Sequence, residues 1–279
     1  MKNFNNKVAA ITGAGSGIGQ QLAILLAKAG CHLSLSDINE QGLANTAELL
    51  KAYNVRVTQT KLDVSDREAV RQWAEETVQN HGSVNLIFNN AGVALGSTVE
   101  GASYDDLEWI MNINFWGVVY GTKEFLPHIQ KTKDGHIINI SSLFGLTAQP
   151  TQSAYNASKF AVRGFTESLR QELDIQNSGV SALCVHPGGI RTNIANAAKM
   201  SDSLKTLGMH PDKSIKSFNK LLRIPPEVAA QTILDAVLKN KRRVLIGNDA
   251  KSLDLMQRIF PTGYQKITGM ATKLGEKFM

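Results

Sequence analysis

The chain has 279 residues, of which 43% are hydrophobic and 19% charged, with 23 Gly and 7 Pro. That composition suits a globular chain with a substantial core, and excludes collagen-like, coiled-coil and disordered classes. The net charge of +6 sits at one end: residues 239–279 hold nine Lys/Arg against three Asp/Glu, leaving 21 of each sign elsewhere. A neutral body with a basic tail argues against a charged groove, so no nucleic-acid partner is expected.

Residues 1–7 are polar and lead directly into an apolar run at 8–11, which leaves no room for a secretory signal. No apolar stretch is long enough to span a membrane. Cys31 and Cys184 fit neither a disulfide framework nor a metal site. A cytoplasmic, reduced protein without a metal is expected. Short apolar runs at 8–12, 32–37, 55–61, 86–89, 136–140, 180–186 and 244–247 read as buried strands. Helical patterns fill the intervals at 17–29, 40–53, 66–81, 105–130, 153–177 and 226–239, the last opening on Pro226. Such alternation builds a parallel sheet covered on both faces by right-handed crossovers. The predicted fold class is α/β: a single doubly wound, Rossmann-type domain with a seven-stranded parallel sheet over residues 1–249. Two segments break the rhythm. Residues 188–224 are too long for a connection and too apolar for a linker, with Leu204, Leu207, Met209, Ile215, Phe218, Leu221 and Leu222. They read as a helical lid over about 189–224. Residues 250–279 form a basic C-terminal extension in which Tyr264, Ile267, Met270, Leu274 and Phe278 make one stripe of an amphipathic helix.

The first strand ends in Thr12-Gly13-Ala14-Gly15-Ser16-Gly17-Ile18-Gly19. Glycines at a strand–helix junction let the backbone approach a pyrophosphate, while free amides at the helix start supply donors. Gly13, Ser16, Gly17 and Ile18 are the candidate contacts. About 20 residues on, Asp37 ends the second strand, where a carboxylate accepts a ribose 2′-hydroxyl and repels a 2′-phosphate. No Lys or Arg occupies 14–17 or 36–40. NAD(H) is therefore favoured; NADP(H) stays open because a distant loop could supply a cation, and Asp37 could instead cap the second helix.

Tyr155 and Lys159 lie four residues apart in one helix, so both project from one face. An ammonium about 4 Å from the phenol at an effective dielectric of about 20 favours phenolate by up to roughly 4 kcal/mol. A phenol acidified in that way exchanges protons with an alcohol or carbonyl oxygen. Ser142 ends the fifth strand at the carboxyl edge of the sheet, where open α/β sheets bind ligands, and its hydroxyl can hold a substrate oxygen.

Taken in order, these motifs resemble the short-chain dehydrogenase/reductase family over about residues 5–248. They are Thr12 to Gly19, Asp63-Val64, Asn89-Asn90-Ala91-Gly92, Asn114, Ser142, Tyr155 with Lys159, and Pro187-Gly188 followed by Thr192. The resemblance implies a catalytic set of Asn114, Ser142, Tyr155 and Lys159. It implies that Asp63 and Val64 hold the adenine, that Asn90, Ala91 and Gly92 line the cofactor near the adenosine ribose, and that Pro187, Gly188, Ile190 and Thr192 orient the nicotinamide. Tyr155 and Lys159 also touch the cofactor in such proteins. Asn114 would kink its helix and fix a water joining Lys159 to solvent. The expected activity is hydride transfer between a nicotinamide cofactor and a secondary alcohol or ketone, with a lipophilic substrate suggested by the apolar lid. The alternative is a dinucleotide-binding regulatory or scaffold protein acting through its basic tail. Family members are usually homodimers or homotetramers, so the tail is expected first on a neighbouring subunit. Docking on its own subunit comes second and weak attachment to an anionic membrane surface third.

Overall fold

A computed structural model describes residues 1–277, with side-chain surroundings through Lys273. The Leu274 and Phe278 side chains of the expected tail stripe lie outside the described residues. The strands are β1 (Val8–Thr12), β2 (His32–Asp37), β3 (Val57–Lys61), β4 (Leu86–Asn89), β5 (Leu95–Gly96), β6 (Gly135–Ile140), β7 (Val180–Pro187), β8 (Lys199–Met200) and β9 (Arg243–Ile246). Seven of them form one parallel sheet in the order β3-β2-β1-β4-β6-β7-β9. The helices are α1 (Gly17–Lys28), α2 (Glu40–Leu50), α3 (Arg67–His81), α4 (Tyr104–Met111), α5 (Gly117–Thr132), α6 (Ser153–Gln176), α7 (Pro211–Leu221), α8 (Pro226–Leu238), α9 (Asn248–Ile259) and α10 (Tyr264–Lys277).

Alternating strand residues feed two cores, one on each face of the sheet. Ala9, Ile11, Leu86, Phe88, Ile138 and Leu183 pack with Leu22 and Leu26 of α1 and Ile233 and Val237 of α8. Ala10, Ile87, Ile137 and Ala182 face the other way, against Trp73 of α3, Phe125 of α5 and Leu169 of α6. Burial on both faces is why these strands read as continuous apolar runs. The strand order reverses between β1 and β4, and a crevice opens there at the carboxyl ends of the strands.

Element ends follow local chemistry. Asn39 and Asp66 cap α2 and α3, each accepting a first-turn amide hydrogen. Asn177 stops α6 in the left-handed region at φ 47°. The helix expected over 105–130 is interrupted by a π-helical turn, Asn112–Trp116, which splits it into α4 and α5. The strand expected from residue 55 begins at Val57, on the sheet edge where burial is partial.

The segment after β7 divides in two. Its first half is tied to the body: β8 pairs in parallel with β5, the Ser201 amide donates to the Gly96 carbonyl, and Leu204 is buried. Its second half carries α7, which buries none of its residues. The tail is helical as expected, its apolar stripe falling on α10 with α9 before it, and it contacts its own subunit. Tyr264 is 5% exposed, and its hydroxyl accepts a hydrogen bond from the Ala148 amide at 3.1 Å. Among the described residues no helix is long and apolar enough to cross a membrane.

Candidate active site

The glycine turn is built around close backbone approach. Gly13 has φ +65°, and a Cβ there would lie 2.9 Å from Asn90 Nδ2. That Asn90 amide donates to the Thr12 and Gly13 carbonyls, while the Thr12 hydroxyl accepts from the Asn90 and Ala91 amides. Asn90 therefore shapes the turn with its side chain, beyond the lining role implied for it. Gly17 has φ +55° and faces the Thr192 methyl, 3.0 Å from where a Cβ would stand. Thr192 thus lies across the crevice from the start of α1. Ser16 occupies the N-cap of α1 without a side-chain cap bond, so the first-turn amides, including that of Ile18, remain available to an anion. The residues present fit a dinucleotide.

Asp37 does not cap α2, which Asn39 does. Its carboxylate accepts from the Gly15 amide at 2.8 Å and from the Asn39 amide at 2.9 Å, holding an acidic group against the glycine turn. Asp63 is exposed and folds onto Ser65 through its amide and hydroxyl. Val64 is buried, with its methyl against Gly117 at the start of α5. Gly92 lies tight against Asn114 Oδ1 and Lys159 Nζ.

Asn114 sits in the π-helical turn, completely buried. Its side chain clamps Val93, accepting from the amide at 2.8 Å and donating to the carbonyl at 3.0 Å, and also reaches the Ser158 hydroxyl. The kink expected at Asn114 takes this form. Ser142 caps the one-turn helix Leu143–Gly145, its Oγ accepting from the Phe144 amide at 3.1 Å. With that lone pair engaged, the hydroxyl can donate its hydrogen toward the Tyr155 oxygen, to which Ser142 is hydrogen-bonded. Tyr155 stands in the first turn of α6, edge-on to Phe144 with ring centroids 6.1 Å apart. Around it lie Val93, Ala94, Leu95, Ile194 and Ala198. Lys159 is buried one turn further on; its Nζ donates to the Ile140 carbonyl at 3.1 Å and lies 5.8 Å from the Tyr155 ring centroid.

The placement expected for the tyrosine and lysine holds, but the electrostatics expected for them does not. Burial pushes the Tyr155 phenol up, only partly offset by its hydrogen bond with Ser142. Burial also pulls the Lys159 ammonium down to about 8. The sequence argument assumed an ammonium about 4 Å away and no desolvation. With both groups taken out of water, desolvation is the larger influence on each.

Pro187 ends β7, and the chain past it is fixed by main-chain bonds: Gly188 to Ile246, Ile190 to Gly188 and Thr192 to Ile190. Asp249 is a residue that sequence reasoning missed. Its carboxylate accepts from the Gly189 amide at 2.6 Å and so anchors the root of the lid. The signal was a lone acid just past the last strand, at the ligand-binding edge. Among the described residues no group of three His, Cys, Asp or Glu could hold a metal ion.

Comparison with known proteins agrees with this geometry. A family profile described as short chain dehydrogenase matches residues 7–202. The chain belongs to the short-chain dehydrogenase/reductase family. A Mycobacterium tuberculosis relative, SadH, whose description assigns it as an oxidoreductase, is 47% identical over 268 residues, covering 96% of this chain and 95% of its own. A short-chain dehydrogenase/reductase from Burkholderia phymatum, solved in complex with NAD, superposes with a TM-score of 0.87 at 29% identity, over 95% of this chain and 97% of its own. Levodione reductase superposes with a TM-score of 0.77 at 26% identity, over 90% and 98%. The protein is accordingly a dehydrogenase/reductase, and its seven-stranded parallel sheet is the fold of that family.

Proposed function

We propose that this short-chain dehydrogenase/reductase interconverts a lipophilic ketone and its secondary alcohol with NAD(H), Tyr155 moving the proton. The observation that carries the reading is the meeting of Ser142, Tyr155 and Lys159 beside the glycine turn, within an apolar surround. A bound nicotinamide dinucleotide supplies or accepts the hydride. Gly13, Ser16, Gly17 and Ile18 present backbone to its pyrophosphate, Asp37 receives the adenosine ribose, and Asp63 and Val64 hold the adenine. Asn90, Ala91 and Gly92 line the crevice floor, while Pro187, Gly188, Ile190 and Thr192 orient the carboxamide. Asp37 favours NAD(H) over NADP(H).

Ser142 turns its hydroxyl hydrogen from Tyr155 to the substrate oxygen and fixes that oxygen beside Tyr155. Because burial keeps the phenol protonated at neutral pH, Tyr155 is ready to give its proton to a carbonyl oxygen as negative charge develops there. In the reverse direction it takes the alcohol proton, which alkaline pH favours. Lys159, poised near pH 8, restores the Tyr155 proton, and the π-helical turn at Asn114 holds the path to solvent through a water. Val93, Leu95, Phe144, Ile194 and Ala198 form an apolar wall for the substrate, and α7 closes over it. The protein works as a homodimer or homotetramer in the cytoplasm, in keeping with two free buried thiols. The complete proton-transfer set leaves the scaffold reading without a supporting feature.

Initial rates with NADH and NADPH across methyl ketones of graded chain length test the reading. Each methylene buried contributes about 0.8 kcal/mol, so kcat/KM should climb roughly fourfold per carbon until the wall is filled. No turnover of any ketone, or rates indifferent to chain length, would remove the lipophilic-ketone reading.

A further inference from the structure

His186 lies directly behind Ser142 and has no place in the mechanism above. It is fully buried in β7, one residue before Pro187. Its Nδ1 is 2.8 Å from the Ser142 carbonyl oxygen, and its Nε2 is 3.3 Å from Cys184 Sγ. A carbonyl oxygen only accepts, so Nδ1 must carry the hydrogen and Nε2 must be the acceptor of the Cys184 thiol hydrogen. Burial keeps both partners in the required states, pulling the imidazole down to about 4 and pushing the thiol up to about 12.

The ladder between β6 and β7 stops just short of Ser142. β6 and β7 are paired through Ile140 and Val185, and the Ser141 amide donates to the Val185 carbonyl. The next backbone donor along β7 would belong to Pro187, which has no N–H, so the ladder cannot run past Ser141. Ser142 thus stands beyond the last rung. Its Oγ accepts from the Phe144 amide, and its carbonyl accepts both from the Gly145 amide at 2.9 Å and from the His186 ring.

We infer that His186 is a positioning residue, whose Nδ1–H joins the Gly145 amide in holding the Ser142 carbonyl and thereby keeps the Ser142 hydroxyl aimed at the substrate oxygen. The inference rests on the proposed role of Ser142, and its test separates the two. In His186→Asn, the amide nitrogen falls close to the position of Nδ1 and preserves the bond. In His186→Gln, the amide nitrogen falls close to Nε2 and loses it, although both replacements are polar and compact. With the panel ketone that the wild type reduces fastest, His186→Asn should keep kcat within threefold. His186→Gln should lose tenfold or more in kcat, while NADH affinity by fluorescence titration changes less than threefold in either.

Because the histidine acts through the serine, adding His186→Gln to Ser142→Ala should slow that variant by no more than twofold. Equal rates for the Asn and Gln variants, a loss of NADH affinity in step with kcat, or losses that multiply in the double variant would each overturn the role of His186. Ser142→Ala at the wild-type rate would instead overturn the reading of Ser142 itself. Should His186→Gln not fold, His186→Asn decides alone, because a tenfold loss of kcat in that variant contradicts the positioning bond.

Discussion

In the proposed reading Asp37 sets the choice between the two nicotinamide dinucleotides, and removing its charge should relax that choice. Its carboxylate is held in place by the Gly15 and Asn39 amides, so it cannot swing away from a 2′-phosphate. One charge pair about 4 Å apart at an effective dielectric of about 20 is worth about 4 kcal/mol. Halving this for a half-exposed site leaves about 2 kcal/mol, a factor of about 30 in kcat/KM. The Asp37→Asn variant keeps the shape and removes the charge. Its NADPH kcat/KM should rise about 30-fold. Its NADH kcat/KM should fall about tenfold, as a charge-assisted bond to the ribose becomes a neutral one. Steady-state rates with each cofactor at fixed ketone, beside a melting curve to certify the fold, make the measurement. An NADPH rate unmoved by the substitution, or a wild type already indifferent between the cofactors, would refute the argument.

Three further outcomes follow from groups outside the ribose pocket. In the proposed relay Lys159 acts as an ammonium during reduction, and burial pulls it down to about 8. Ketone reduction should therefore be flat in pH below about 8 and fall about tenfold per unit above it; a profile flat to pH 10 would contradict this. His136 and His186 are buried and neutral, each pulled from 6.5 to about 4 mainly by desolvation. Between pH 6.5 and 4 the unfolded chain binds more protons than the folded one, so stability drops on acidification. Each histidine is worth about 3 kcal/mol, with about 2 kcal/mol of that gone by pH 5, and urea unfolding at pH 7 and pH 5 reads the difference. Tyr264→Phe strips the Ala148 amide of its acceptor. It should lower Tm by about 2–4 °C and raise the ketone KM without changing NADH affinity.

Much of this architecture is legible in the sequence for a simple reason. Strands buried on both faces are written as apolar runs, and the glycine turn must be written in glycine because Gly13 and Gly17 adopt positive φ against close neighbours. Helical spacing puts Tyr155 and Lys159 on one face, but the ordered motifs around them are what single the pair out. The pairing of β5 with β8 is not readable, because two-residue strands have no period. The π-helical turn at Asn114 is hidden because one inserted residue barely shifts an apolar stripe. The tail break is different: Pro261-Thr262-Gly263 is an ordinary turn signal between α9 and α10, outweighed in the reading by the stripe that follows it. The charge states of Tyr155 and Lys159 depend on burial in three dimensions, which spacing does not carry. His186 and Asp249 bond to residues 44 and 60 positions away in the chain, so no local pattern shows what they hold.

The role of the phenol is tested most directly by Tyr155→Phe, with ketone turnover and NADH binding measured on the same preparation. Loss of the proton donor should lower kcat by about 10³-fold while the dissociation constant for NADH stays within threefold. A variant that still reduces the ketone at a tenth of the wild-type rate or better would show that the proton comes from somewhere else.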